Sequence, residues 1–287
     1  MNYTEAKVIK DSIDLHGQRL TTMVVTFPRC VLAEFNTHRA FSKNTSSSRA
    51  QPFSTMIANV AGRFYIPEDV RLNEPGMQGF ENLNEEQMES FKDWYYKIWE
   101  YVVEGCENMY DDVKVHKQHI NKIFENFGYV DMVVTSTEWQ NFLNLRDHEA
   151  AHPEMQKLAK YMRVALESSK PDLLFKGEYH LPFIEQAEKE YFRIEQLIKA
   201  SVSRGARTSY KLHDGSTVDI DKDVKLYEKL TTASPIHASP LEHVAICTEK
   251  LCVERFEGND WVQRNKFYNL SGWKSFRFQF EKEGLRL

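Results

Sequence analysis

Two arginines bracket a polar tract early in the chain. From His38 to Arg49 it reads His-Arg-Ala-Phe-Ser-Lys-Asn-Thr-Ser-Ser-Ser-Arg. Ser and Asn compete with a helical backbone for hydrogen bonds, so Asn44 to Ser48 is expected to be a loop. Such a loop offers N–H groups and hydroxyls, and Arg39 and Arg49 add planar, permanently charged forks. The combination suits an anion, most naturally a phosphate. The plainer reading of the same residues is a solvated connection with two surface arginines.

Three further stretches could do chemistry. Asn141-Phe-Leu-Asn-Leu-Arg146 sets two amides and a guanidinium among Trp139, Phe142, Leu143 and Leu145. In so apolar a neighbourhood these polar groups need partners, although helical spacing carries Arg146 well round the axis from Asn141. Ser203-Arg-Gly-Ala-Arg-Thr-Ser-Tyr210 follows a helical stretch and reads either as a C-terminal stop or as a second anion-binding corner. His237-Ala-Ser-Pro-Leu-Glu-His243 separates its two histidines by a poor zinc spacing, so no metal site is expected. As bare residues, His237 and Ser239 read as turn formers. Lys117, His119 and Lys122 read as a solvated helix face, with a phosphate patch as the alternative.

The elements that must position these residues are partly visible. Leu20 to Phe27 is rich in β-branched residues and predicts a strand that Pro28 ends. Cys30 to Arg39 predicts a short helix, with Cys30 in the core, and a further short helix is expected near Thr55 to Val60. Glu85 to Met109 predicts a long helix, where Phe91, Trp94, Tyr95, Ile98, Tyr101 and Val102 recur at helical spacing and read as packing. A second helix is expected over Asp112 to Phe127, and Met132 to Thr135 is a short apolar segment. Thr137-Glu-Trp-Gln140 resembles a capping box, and Pro153 suits the first turn of the next helix. Lys170 to Pro182 reads as a linker, Phe183 to Val202 and Asp221 to Thr232 as helices, and Val244 to Thr248 as a strand. The aromatic tail, Asn259 to Leu287, reads as an ordered, packed extension.

The totals set bounds. The 287 residues are 41% hydrophobic and 28% charged, with a net charge of −5, an ordinary composition for a soluble globular protein. The sequence pI of about 6.1 argues against a nucleic-acid coat. No apolar run approaches the roughly 18 residues of a membrane span, and Met1 to Lys7 carries no signal-peptide core. Cys30, Cys106, Cys247 and Cys252 form no C-x-x-C pair, which suits reduced thiols in a cytoplasmic protein.

The His38–Arg49 stretch resembles the signature Arg-His-Arg-x-x-Ser-x-Asn-x-x-Ser-x-Arg of the flavin-dependent thymidylate synthases. His38, Arg39, Ser42, Asn44, Ser47 and Arg49 fall in register, and Thr37 stands where the family has its first Arg. Three more blocks are similar. Asn141 to Arg146, with His152 and Glu154 after it, resembles Asn-Phe-x-x-Leu-Arg leading to Ala-Gln-x-Glu-Ile, His152 standing for the usual Gln. Ala206 to Tyr210 resembles Ala-Arg-Val-Ser-Phe/Tyr, and His237 to His243 resembles His-x-Thr/Ser-Pro-Phe-Glu-His. In the family the last two blocks come first, so the matched order here is a circular permutation with an added tail; such a rearrangement can preserve a fold when termini lie close together.

The resemblance implies an α+β fold, a twisted, mainly antiparallel sheet flanked by helices, as one domain over residues 1–287. Its blocks lie at 31–49, 137–155, 203–210 and 237–248, and an extension runs over about 253–287. It implies transfer of a one-carbon unit from methylenetetrahydrofolate to C5 of dUMP, giving dTMP, with FAD reduced by NADPH, in a homotetramer whose active sites are shared between subunits. By position, Arg146 would be catalytic and bind the pyrimidine. Glu34, Ser47, Arg49 and His119 would hold the nucleotide, Glu34 replacing a family Gln. His38, Arg39, Asn141, Ser239, His237 and, more weakly, Ser209 would contact the flavin. Thr37 and Ala50 depart from the pattern and leave room for another pyrimidine deoxynucleotide, for a 5-hydroxymethyl product, or for a non-catalytic nucleotide-binding assembly protein.

Overall fold

Leu20, Met23, Val25 and Phe27 are all fully buried, and the strand that carries them, β2 (Arg19–Pro28), lies at the centre of the main sheet. The computed structural model describes residues 2–76, 79–207, 219–248, 253–256, 259–262 and 266–287. On one side of β2 runs β1 (Glu5–Ile13), antiparallel, with the register shifting between Val8 and Lys10. On the other runs β4 (Tyr129–Ser136), antiparallel, pairing Met23 with Val134. The helix α1 (Leu32–Asn36) follows β2. The edges are β3 (Ser42–Thr45) beside β4 and the two-residue β5 (Asp172–Leu173) beside β1, in the order β3-β4-β2-β1-β5.

Helices cover the apolar face. α5 (Gln140–Arg146) and α6 (Pro153–Ser168) set Phe142, Leu143, Met155, Leu158 and Met162 against Met23, Val25, Met132 and Val134. A second cluster lies where α2 (Phe53–Gly62) and α4 (Lys117–Ile123) meet the long helix α3 (Glu85–Asp111). Asn84 and Gln87 close a capping box at the start of α3, so its first N–H groups find partners.

The rest of the chain builds a smaller sheet of β6 (Tyr179–His180), β7 (Ala245–Cys247) and β12 (Trp273–Ser275), antiparallel throughout. Beside it lie α7 (Glu188–Tyr191), α8 (Ile194–Ala206), α9 (Ile220–Thr232) and α10 (Phe276–Lys282), whose apolar sides share a core built on Leu197, Val202, Tyr227 and Phe276. Two hairpins, β8 (Val253–Phe256) with β9 (Asn259–Val262) and β10 (Lys266–Phe267) with β11 (Leu270–Ser271), precede β12. Gly272, between β11 and β12, has φ +77°, and a Cβ there would press on Gln18; both facts favour glycine. The expected α+β class, antiparallel sheets with helices against them, is what the chain forms.

Several local expectations change. Ser42–Thr45, half of which falls in the expected loop, is a strand: β4 offers an open edge, and ladder hydrogen bonds to Met132 through Thr135 outweigh the turn preference of Asn and Ser. The capping box at Thr137 does not form; α5 begins at Gln140 without a side-chain cap, and the Thr137 hydroxyl instead accepts the Ser271 N–H at 3.1 Å. Helix α4 starts only at Lys117. The helix expected from Phe183 is reduced to α7 and then α8. Cys30 is exposed instead of buried. Trp94, Ile98 and Tyr101 of the aromatic stripe also face outward.

Candidate active site

Helix α1 ends in a tight turn, with Thr37 N–H and His38 N–H donating to the Glu34 and Phe35 carbonyls. The turn points Glu34 and His38 the same way. Helix α5 is anchored by buried Phe142 and Leu143, and Arg146 follows Phe142 by one turn on a similar face. The Arg146 guanidinium donates through Nε to His38 Nε2 at 2.9 Å and through Nη1 to a Glu34 carboxylate oxygen. Neither side chain of the ion pair is fully buried, at 23% exposed for Arg146 and 30% for Glu34. Nη2 makes no hydrogen bond to a described residue, so it remains available to a ligand.

His38 is walled by Phe142, edge-on at 4.8 Å, and by Phe41. Burial, then the charges of Arg146 and Lys43, hold its pKa down to about 4. It is therefore neutral near pH 7. Because Nε2 accepts from Arg146, its proton sits on Nδ1. Lys43 caps the same turn, its ammonium donating to the His38 carbonyl at 2.9 Å and to that of Asn36. Burial lowers the Lys43 pKa, with Glu242 acting against it. Nothing in the sequence pattern singled out Lys43, which occupies a variable position of the signature.

Asn44, next along β3, donates to the Gly205 carbonyl at 2.8 Å and accepts from the Ser239 hydroxyl at 3.2 Å. The 237–243 stretch thus lies beside β3, although 195 residues separate the bonded pair. His237 is exposed, as are Arg39 and Asn141, and no side chain among the described residues engages any of the three. Ser239 is half-buried, on the short 3-10 turn Ser239–Glu242.

The other candidates gather in the chain beyond Thr45, past the far end of β3. There the 3-10 turn Ser48–Ala50 is clamped by Asn121, whose amide donates to the Ser48 and Gln51 carbonyls, and by Glu125, which accepts from Ser48. The clamp leaves Arg49 exposed and without an ion-pair partner among the described residues. Ser47 is half-buried. His119 is exposed on α4, hydrogen-bonded to Gln118, and Lys117 reaches the Ala50 carbonyl at 3.4 Å. Lys122 is taken up by Glu125. The structure therefore brings Glu34, His38 and Arg146 together, and Ser239 to Asn44. It groups Ser47, Arg49 and His119 separately.

The second proposed anion corner is occupied by protein. Arg204 is bound by Glu188 and Asp223, and Arg207 by Asp223, at 2.5–2.8 Å. Ser209 lies outside the described residues. Among the described residues no three His, Cys, Asp or Glu side chains gather as a metal-binding group.

Beneath the site runs a buried chain of hydroxyls and imidazoles. Ser12 Oγ meets His180 Nδ1 at 2.9 Å, His180 Nε2 meets Thr22 at 2.9 Å, Thr22 meets Thr135 at 2.6 Å, and Thr135 meets His243 Nδ1 at 2.8 Å. It links β1, β2 and β4 to the smaller sheet and ends on the last residue of the 237–243 block. Burial lowers the pKa of both histidines, to about 3 for His243.

Comparison with known proteins gives the family. Residues 18–172 match the model of the thymidylate synthase complementing protein family, just over half of the chain, and the protein belongs to that family, the flavin-dependent thymidylate synthases. It is an enzyme of that type. No curated protein matches the sequence. Among solved structures, the chain is similar to the UMP/dUMP methylase PolB from Streptomyces cacaoi bound with 5-Br UMP, at 15% identity over 58% of this chain and 89% of that one, with a TM-score of 0.48. It is also similar to thymidylate synthase ThyX from Helicobacter pylori with FAD and dUMP, at 18% identity over 51% of this chain and 67% of that one, with a TM-score of 0.34.

Proposed function

We propose that the protein transfers a one-carbon unit from methylenetetrahydrofolate to C5 of dUMP, giving dTMP, with FAD as the hydride carrier and NADPH as reductant. The observation that carries this reading is the Arg146 guanidinium, aimed by Glu34 and by neutral His38 with one nitrogen left over. A cation held rigidly beside an electron-rich ring stabilises negative charge as C5 becomes nucleophilic, without reorganising at the moment of reaction. No catalytic Ser or Cys is needed for this chemistry.

The donor set fits a flavin and a nucleotide phosphate. Arg39 and Arg49 are exposed guanidinium groups without a carboxylate partner among the described residues, the chemistry a phosphate needs. A bound flavin would supply the hydride transfer that amino-acid side chains cannot. Arg39, His38, Asn141, His237 and Ser239 are the residues assigned to hold it. Arg49, Ser47 and His119 are assigned to the nucleotide phosphate, with Glu34 at the nucleotide beside Arg146. Arg146, Glu34 and His38 cluster at residues before β3 and Ser47, Arg49 and His119 beyond it, which motivates the further reading that the protein is a homotetramer in which one subunit completes its neighbour's site.

The test is the visible spectrum of purified protein with and without added FAD, followed by NADPH oxidation with and without dUMP. A yellow protein whose NADPH oxidation rises with dUMP, and whose product has the mass of dTMP, supports the reading. A colourless protein that takes up no FAD overturns it. A second reading keeps the fold and changes the acceptor or the product. It is motivated by Thr37, whose hydroxyl is spent on the Glu34 carbonyl at 2.7 Å where the family pattern has a cation. Mass spectrometry of products from dUMP and dCMP separates the two.

A further inference from the structure

Helix α3 carries two apolar stripes. Tyr95, Trp99, Val102, Val103, Cys106 and Met109 pack inward. Trp94, Ile98 and Tyr101 point away from the protein, 63%, 52% and 80% exposed. Their spacing of four and then three residues keeps them on one face, and Gly105, four further on, continues the line. A Cβ built on Gly105 meets nothing within 4 Å, so the stripe ends in a notch. Lys97 and Glu104 stand along one edge of it, two turns apart.

We propose that this stripe docks a second copy of the chain, α3 against α3, antiparallel about a two-fold axis near Glu100. In a two-fold antiparallel pair, residues whose numbers sum to about 200 face each other. Trp94 then fills the notch at Gly105, Ile98 meets Tyr101, and Lys97 meets Glu104, each contact made twice. Size and charge complement each other in this arrangement; a parallel pair sets Trp94 on Trp94 and carries the Lys97–Glu104 edges of the two helices to opposite sides of the seam. Within the helix the Lys97 ammonium contacts Asp93 at 2.7 Å and lies 4.9 Å from the centre of the Trp94 ring; both contacts are exposed, and such contacts exchange partners at little cost. The pairing rests on the reading above that the protein assembles from copies of itself, and names the surface that does so.

Analytical ultracentrifugation of the full chain tests it. Lys97→Glu sets two carboxylates face to face at each end of the pair, and Glu104→Lys sets two ammonium groups. Each variant alone should lower the assembled mass by half with an unchanged far-UV spectrum. Mixing the two should restore it, because every carboxylate in the mixed pair faces an ammonium. Gly105→Leu, which fills the notch, should also halve the mass. If the wild type is assembled and these variants keep its mass, or the mixture fails to recover it, the α3 pairing is wrong while self-assembly stands. A wild type that is monomeric at every concentration overturns both.

Discussion

Glu34 and Arg146 lie 112 residues apart, and no spacing rule connects them. Each was legible singly, because each falls within or beside a matched block; their pairing was not, because it depends on where β2 and β4 set α1 and α5. The pairing makes separable predictions. Arg146→Ala should lower kcat by roughly 100- to 1000-fold, the cost of removing one donor to a developing charge, while FAD affinity measured by fluorescence titration changes little. Equal loss of both would make Arg146 a structural residue. Arg49→Ala should weaken dUMP binding by about 10- to 100-fold, as expected on losing a charge-assisted hydrogen bond. Unchanged affinity in calorimetry would remove Arg49 from the nucleotide site.

The element scale shows where local preference yields. The strand β2 was legible from its β-branched, apolar run, and α3, α6 and α9 from their periodicity; of β4 only a short apolar segment, Met132 to Thr135, was visible. β3 was not, since Ser, Lys, Asn and Thr carry no strand signal and the free edge of β4 decides. The block at 203–207 was ambiguous for a similar reason: the sequence shows two arginines but not the carboxylates that meet them. Asp223, on α9, is 1% exposed and answers both Arg204 and Arg207. Asp223→Ala strands the Arg207 guanidinium in a largely buried setting, leaves Arg204 to Glu188, and should cost about 3 kcal/mol. A urea midpoint close to wild type would show that the pairs add nothing to holding α9 on α8.

For the whole molecule, three buried histidines set a pH dependence. His38 and His243 have folded pKa values near 4 and 3, and that of His180 is also lowered, against 6.5 when unfolded. Lowered values mean that the unfolded chain binds more protons, so the contribution is complete above pH 6.5 and is lost as pH falls toward 4. At full effect each histidine adds about 1.4 kcal/mol per pH unit to the slope. Glu154 acts in the opposite sense: burial raises its pKa, so its contribution is present below 4.5 and fades as pH rises. The thermal midpoint should fall steeply from pH 7 to pH 5, and His243→Gln should flatten the fall. A midpoint independent of pH over that range would refute neutral burial of these rings.

The chain of imidazoles and hydroxyls from Ser12 to His243 has one more property. Each hydroxyl owns one hydrogen and each neutral ring one N–H, and the 2.6 Å contact between Thr22 and Thr135 must contain a hydrogen. Thr22 and Thr135 are fully buried and bond to no other described residue through their hydroxyls, so each spends its hydrogen within the chain; the donors then all point one way, and turning any link turns every other. His243 Nε2 is buried without a partner among the described residues, and a bare lone pair is easier to leave there than an orphan N–H. That end fixes the polarity: His243 carries its hydrogen on Nδ1, Thr135 donates to Thr22, Thr22 to His180, and His180 to Ser12. A single tautomer beneath the 237–243 block thus dictates how a serine on the far strand of the sheet orients its lone pairs. Nitrogen chemical shifts of the two rings would read that direction out.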